Sequence, residues 1–125
     1  MKHEPMPEDM YKEHIMELWK SPENYGILEK PSHKATEYNT TCGDEITMNL
    51  KIKNGKVEDV KFSGTGCVIS IVSSSLLTEK LKGMKVEEIK RMSKENIMEM
   101  LRIKITPARI KCALLPLEAT KRALK

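Results

Sequence analysis

The chain has 125 residues, 39% of them hydrophobic and 32% charged. That suits a single domain over residues 1–125, large enough for a core and small enough for a bound metal to matter to its stability. The formal net charge of +4, from 22 basic and 18 acidic residues, is spread along the sequence. No basic stripe carries interleaved aromatics, which argues against nucleic acid as a partner.

No apolar run reaches membrane-spanning length and the start shows no signal-peptide pattern, so no membrane partner is expected and the placement is cytoplasmic. With 4% aromatic residues and nine methionines, the core must be aliphatic, with methionine as adaptable filler.

Met6 to Lys20 reads as a helix. Pro7 suits its first turn, Glu8 and Asp9 follow, and Tyr11, Ile15, Leu18 and Trp19 recur at helical spacing. Ser21-Pro22-Glu23-Asn24-Tyr25-Gly26 stops it and turns the chain, with Trp19 and Tyr25 packing the segment down. Lys34 to Thr40 is a weakly alternating edge strand. In Glu45 to Lys53, apolar Ile46, Met48, Leu50 and Ile52 alternate with polar residues, giving one buried and one solvated face. Asn54-Gly55 is a hairpin turn, and Val57 to Ser63 returns as a strand with Val60 and Phe62 inward.

Gly64-Thr65-Gly66 takes the chain out of the sheet, and Val68 to Lys82 reads as a helix ending at Gly83. Its apolar arc is wide, which implies burial. Val86 to Arg91 and Ser93 to Leu101 are short helices, with Ser93 as N-cap of the second. The last helix starts near Pro107 and runs to the C-terminus. A kink is expected within it, because Pro116 cannot bond the carbonyl of Cys112.

Three cysteines cannot all pair within one chain, and a reducing compartment keeps them as thiols. Taken singly, each reads as a small buried hydrophobe. Two of them adjoin glycines, which favours thiol or metal chemistry. Cys42 and Cys67 flank the hairpin and should approach each other. Gly43 lets Cys42 and Asp44 turn toward one point, and Cys67 opens a helix, where unpaired N–H groups favour negative charge. Cys42, Asp44, Cys67 and Cys112 supply four donors, the number asked for by tetrahedral zinc or a cluster iron. On spacing alone, metal binding and buried structural cysteines stand level, since no compact zinc-finger pattern is matched. His3, His14 and His33 offer no base for a cysteine hydrolase.

From Tyr11 onward the chain resembles the U-type iron–sulfur cluster assembly scaffolds: IscU, the N-terminal domain of NifU, and SufU. The resemblance is carried by Ser21-Pro22-Glu23-Asn24-Tyr25-Gly26, Thr41-Cys42-Gly43-Asp44, Gly66-Cys67 with Ile69-Ser70 and Ser73-Ser74-Ser75, and Lys111-Cys112. It implies an α+β fold, a small antiparallel three-stranded sheet covered by helices (SufE/NifU-like). It also implies a carrier rather than an enzyme, whose cysteines accept persulfide sulfur from a cysteine desulfurase. Iron and a transient [2Fe–2S] cluster would then be held by Cys42, Cys67 and Cys112 and passed to apo-proteins. Asp44 matches the aspartate that keeps the cluster labile, as a hard oxygen donor beside soft iron should.

The Arg109-Ile110-Lys111-Cys112 run is shared with the SufU branch, where IscU has histidine before the third cysteine. Lys111 and Arg109 join Cys112 as the expected sulfur-accepting group, Lys111 lowering that thiol's pKa. The SufU branch also carries an insertion that this chain lacks. Ile105-Thr106-Pro107-Ala108-Arg109 replaces the chaperone-docking motif of IscU. The alternative function is a zinc-bound sulfur acceptor of SufU type, a sulfurtransferase, with Zn²⁺ on the same four residues. A bland alternative is zinc that only supports folding. A monomer or weak homo-oligomer is expected.

Overall fold

The structure is a computed structural model that describes residues 8–125, with side chains described from Lys12. The expected helix start at Met6 and Pro7, the side chain of Tyr11, and His3 lie outside the described residues. In chain order the elements are α1 (Glu8–Lys20), β1 (His33–Asn39), β2 (Asp44–Lys53), β3 (Lys56–Thr65), α2 (Val68–Leu81), α3 (Val86–Lys90), α4 (Lys94–Leu101) and α5 (Pro107–Ala123). The three strands form one antiparallel sheet in the order β1-β2-β3. Helices α2 and α5 pack on it and on each other. The expected α+β fold is the observed one.

Alternation places Ile46, Met48 and Leu50 of β2 and Val60 and Phe62 of β3 in the core. The β2–β3 turn has positive φ at both Asn54 and Gly55, the backbone of a type I′ hairpin, whose twist matches that of its strands. Ser93 caps α4, accepting a hydrogen bond from the Asn96 N–H. Helix α5 runs unbroken through Pro116. The proline removes one bond to the Cys112 carbonyl without dividing the element, which is held along its length against β1, β2 and α2.

The stop after α1 does more than turn the chain. Gly26 N–H donates to the Phe62 carbonyl and Phe62 N–H to the Asn24 carbonyl, adding a short parallel segment to the outer edge of β3. The Tyr25 hydroxyl donates to the Gly64 carbonyl at 2.8 Å, and its ring meets Phe62 edge-on with centroids 5.2 Å apart. Trp19 and Tyr25 are both exposed, and of the two it is Tyr25 that is seen to pin the segment, through its hydroxyl and its edge-on contact with Phe62. The face of α1 that meets α2 carries Ile15 and Leu18, and Trp19, one residue on, is turned about 100° away from Leu18.

The serines of α2 explain how two helices sit close enough to share a site. Ser70, Ser73, Ser74 and Ser75 are all buried. Ser73 donates to the Ala113 carbonyl of α5 at 2.6 Å, while Ser74 donates back to Ser70 within α2. Ser75 Oγ accepts from the Glu23 N–H at 2.7 Å. Small hydroxyl side chains satisfy themselves against backbone here and leave no bulk between helices.

Candidate metal and sulfur site

Three element ends converge at one end of the sheet. The β1–β2 connection is a four-residue loop closed by the Asn39–Asp44 pair. The carbonyl of Asn39 accepts from Gly43 N–H at 2.8 Å and from Cys42 N–H at 3.3 Å. Gly43 takes φ +74°, a conformation that L side chains resist, and this swings Cys42 and Asp44 toward the helices. Cys67 is the N-cap of α2, and Cys112 lies in the second turn of α5.

The donor atoms of Asp44, Cys67 and Cys112 all lie within 4.8 Å of one another. Cys112 Sγ donates to Cys42 Sγ at 3.5 Å. Of the four expected ligands, three thus form a mutual set and Cys42 joins it through Cys112. A centre equidistant from three atoms at that outer limit stands about 2.8 Å from each, so a contraction of about half an ångström reaches zinc–thiolate bond lengths.

The carboxyl group of Asp44 shows the same fit from the other side. It is buried to 3%, and Oδ1 accepts the Cys67 N–H at 3.1 Å. Oδ2 is buried with no partner. Buried polar oxygens are normally satisfied, and the carboxylate that carries this one brings an oxygen within 4.8 Å of two sulfurs. Gly66 completes the cradle: a Cβ there would fall 2.1 Å from Ser70 Oγ and 3.3 Å from Asp44 Cγ.

The thiols differ in exposure. Cys42 is exposed, Cys67 intermediate and Cys112 fully buried. Burial pushes the Cys112 thiol well up, and the neighbouring side chains of Cys42, Asp44 and Cys67 add to the effect. The direction of this shift is opposite to the expected one. Lys111 was expected to lower that pKa, but desolvation dominates. The residue expected to accept sulfur is also the least accessible of the three.

Lys111 instead borders a polar groove of about 270 Å³ shared with Glu37 and Glu118. Burial raises the Glu118 pKa, Glu37 adds to the rise and Lys111 opposes it. Arg109, in the first turn of α5, hydrogen-bonds the Cys67 sulfur, which holds its guanidinium charge more firmly. Sequence reasoning missed Asn39. Its side chain, buried at the end of β1, donates from Nδ2 to Cys112 Sγ at 3.5 Å. The only signal for it in the sequence is a turn-forming residue three positions before Cys42.

A compact α+β domain with thiols and a carboxyl group drawn together at the ends of a hairpin and two helices defines a small thiol-rich metal or sulfur carrier. The chain belongs to the NifU-like N terminal domain family, which it matches over residues 10–125. It is 39% identical to the iron–sulfur cluster assembly scaffold protein IscU of Thermotoga maritima, over 93% of each chain. It is 34% identical to the zinc-dependent sulfurtransferase SufU of Bacillus subtilis, over 92% of this chain and 89% of that one. Among solved structures, a candidate SUF-system cluster assembly scaffold protein from Fervidobacterium islandicum superposes with a TM-score of 0.79 at 29% identity. That match covers 95% of this chain and 100% of the other.

Proposed function

We propose that the chain is an iron–sulfur cluster assembly scaffold. It takes sulfur from a cysteine desulfurase, gathers iron, and hands a [2Fe–2S] cluster to apo-proteins, in a reducing compartment such as the cytoplasm. The observation that carries this reading is the convergence of a carboxylate oxygen of buried Asp44 with the sulfurs of Cys67 and Cys112, in a carboxylate whose Oδ2 has no hydrogen-bond partner. Cys67 and Cys112 are the fixed soft donors, Asp44 the hard donor, and Cys42 the mobile one. A hard oxygen among thiolates makes a weaker, exchangeable attachment for iron.

Sulfur enters most readily at Cys42, the exposed thiol. Its sulfur attacks the terminal sulfur of the desulfurase persulfide, whose inner thiolate leaves. Sulfur moves at the zero-valent level, so this transfer consumes no oxidant or reductant; its later reduction to cluster sulfide takes two electrons per sulfur, supplied by ferrous iron together with an external thiol or redox-protein reductant. Arg109 neutralises charge at the rim while the site is empty of iron.

A second reading is a zinc-bound sulfur acceptor, favoured by the exposure of Cys42: three donors keep the metal while the fourth swings out to take sulfur. Among the described residues no helix is long and apolar enough to cross a membrane.

The deciding experiment is anaerobic reconstitution with ferrous iron, cysteine and a desulfurase, read by absorption and Mössbauer spectra and a metal count. A [2Fe–2S] spectrum that transfers to apo-ferredoxin supports the scaffold. Retained zinc, no cluster, and stimulation of the desulfurase without iron support the sulfur acceptor instead.

A further inference from the structure

We propose that Asn39 is a positioning residue of the metal site, holding the Cys112 sulfur through an N–H···S bond that persists when Cys112 acts as a ligand. The inference rests on the metal-site reading above. Three bonds meet on this residue. Its side-chain Nδ2 lies 3.5 Å from Cys112 Sγ, while its carbonyl takes the N–H groups of Cys42 and Gly43. One residue at the end of β1 therefore spaces the loop thiol from the α5 thiol, and pairs in register with Asp44.

The chemistry gives the side chain a role separate from that of its carbonyl. An amide N–H cannot ligate a metal, so it does not compete for one. A thiolate sulfur has lone pairs left after binding a metal, and one of these can go on accepting from Asn39. Such a bond fixes the direction in which the sulfur presents its remaining electrons and draws density from it. It draws some electron density from the sulfur, but its larger effect on affinity is to orient the ligand, as outer partners of metal ligands do. Asn39 is only 6% exposed, so its amide is largely shielded from solvent. Lys111, the neighbour in sequence that looked like the modulator of Cys112, borders the groove with Glu37 and Glu118 instead.

The test uses Co²⁺ as a spectroscopic metal on the full chain, comparing wild type with Asn39→Leu. That substitution keeps the branched skeleton and the backbone carbonyl and replaces the amide by two somewhat bulkier methyl groups. Loss of the bond is expected to weaken Co²⁺ binding by about 10–100-fold. It should also move the sulfur-to-cobalt charge-transfer band to lower energy, because the sulfur becomes a stronger donor. Thr36→Val on the same strand breaks the Thr36–Thr47 hydroxyl contact and is expected to leave the band in place.

Should Asn39→Leu fail to fold by circular dichroism, Asn39→Asp, isosteric and without the donor, replaces it. A folded variant with an unmoved band overturns the proposal whether or not affinity falls, because a merely structural role changes affinity alone. A wild-type protein without a thiolate–cobalt band would overturn the metal-site reading itself, and the role of Asn39 with it.

Discussion

Replacing Asp44 by alanine separates a ligand from a framework residue. In metal-free protein, removal of the orphaned Oδ2 relieves about 1–3 kcal/mol of unsatisfied burial, while loss of Oδ1 strands the Cys67 N–H at a similar cost. The two offset to within about 1 kcal/mol, so Asp44→Ala should melt within about 4 °C of wild type in the presence of chelator. Zinc at one hundred times the wild-type dissociation constant stabilises wild type by about 2.7 kcal/mol, whereas a site weakened a hundredfold gains about 0.4 kcal/mol at the same concentration. For a domain of this size, the zinc-induced rise should therefore fall from about 10 °C to about 2 °C. Thermal melts of both proteins, each with chelator and with zinc, read all four states. A metal-free variant destabilised by more than about 3 kcal/mol would mean that Asp44 is satisfied in solution and braces the fold. Equal zinc-induced shifts would remove it from the ligand set.

Four further outcomes follow from the geometry. Alkylation of the native metal-free protein, mapped by mass spectrometry, should label exposed Cys42 first and buried Cys112 last; the reverse order would refute the assigned entry point for sulfur. The folded state keeps the Cys112 proton above the ordinary thiol value of 9.0, whereas the unfolded chain gives it up near that value. This contribution to stability is full below pH 9.0 and declines as pH rises beyond it; urea titrations should show Cys112→Ala losing less stability than wild type across that window, and parallel losses would count against it. Gly66→Ala forces apart Ser70 and Asp44 and should cost about 1–3 kcal/mol and most Co²⁺ binding; unaltered Co²⁺ binding would show that the cradle gives way freely. Tyr25→Phe loses the bond to the Gly64 carbonyl and should cost about 0.5–1.5 kcal/mol in urea unfolding, with no loss at all placing that hydroxyl in water.

The parts of the fold that could be read ahead were those set by local chemistry. Asn54-Gly55 supplied two residues tolerant of positive φ between alternating strands, and the hairpin falls there with β2 and β3 close to the expected limits. Gly83, with φ +82°, lies just past the end of α2 as a C-terminal glycine should. Pro116 was legible as a missing N–H, and α5 continues past it as one helix from Pro107 to Ala123. The hairpin pointed to an approach of Cys42 and Cys67, whereas the donors that lie within 4.8 Å of one another are those of Asp44, Cys67 and Cys112, with Cys42 tied to Cys112. The ranking of thiol exposure did not follow from the sequence, since it depends on which face of α5 meets the sheet. Lys111 illustrates the limit: adjacency in sequence put it beside Cys112, yet consecutive helical residues point about 100° apart, and burial sets that thiol instead. Asn39 was invisible for a related reason, as its contact with Cys112 spans 73 residues.

The division of the donors among elements bears on how a cargo leaves. Cys67 and Cys112 stand on helices fastened to each other through the Ser73–Ala113 bond, so separating them means moving packed core. Cys42 and Asp44 belong to one short connection: the first lies on an exposed loop held by two N–H bonds to a single carbonyl, the second at the strand edge beside it. Movement of that loop alone withdraws Cys42 and loosens Asp44, while the helices keep their thiols in place. A scaffold must hold a cluster long enough to complete it and still release it intact. In the proposed site, with the most exposed sulfur on the loop and the oxygen donor on the strand residue next to it, one local motion would open half the coordination sphere without unfolding the rest. Lability then resides in β1–β2 and retention in α2–α5. Stiffening the loop, for example with Thr40→Pro, should slow transfer to an apo-protein in a spectroscopic transfer assay more than it alters cluster formation. Transfer rates unchanged by a stiffened loop would locate the release step elsewhere in the molecule.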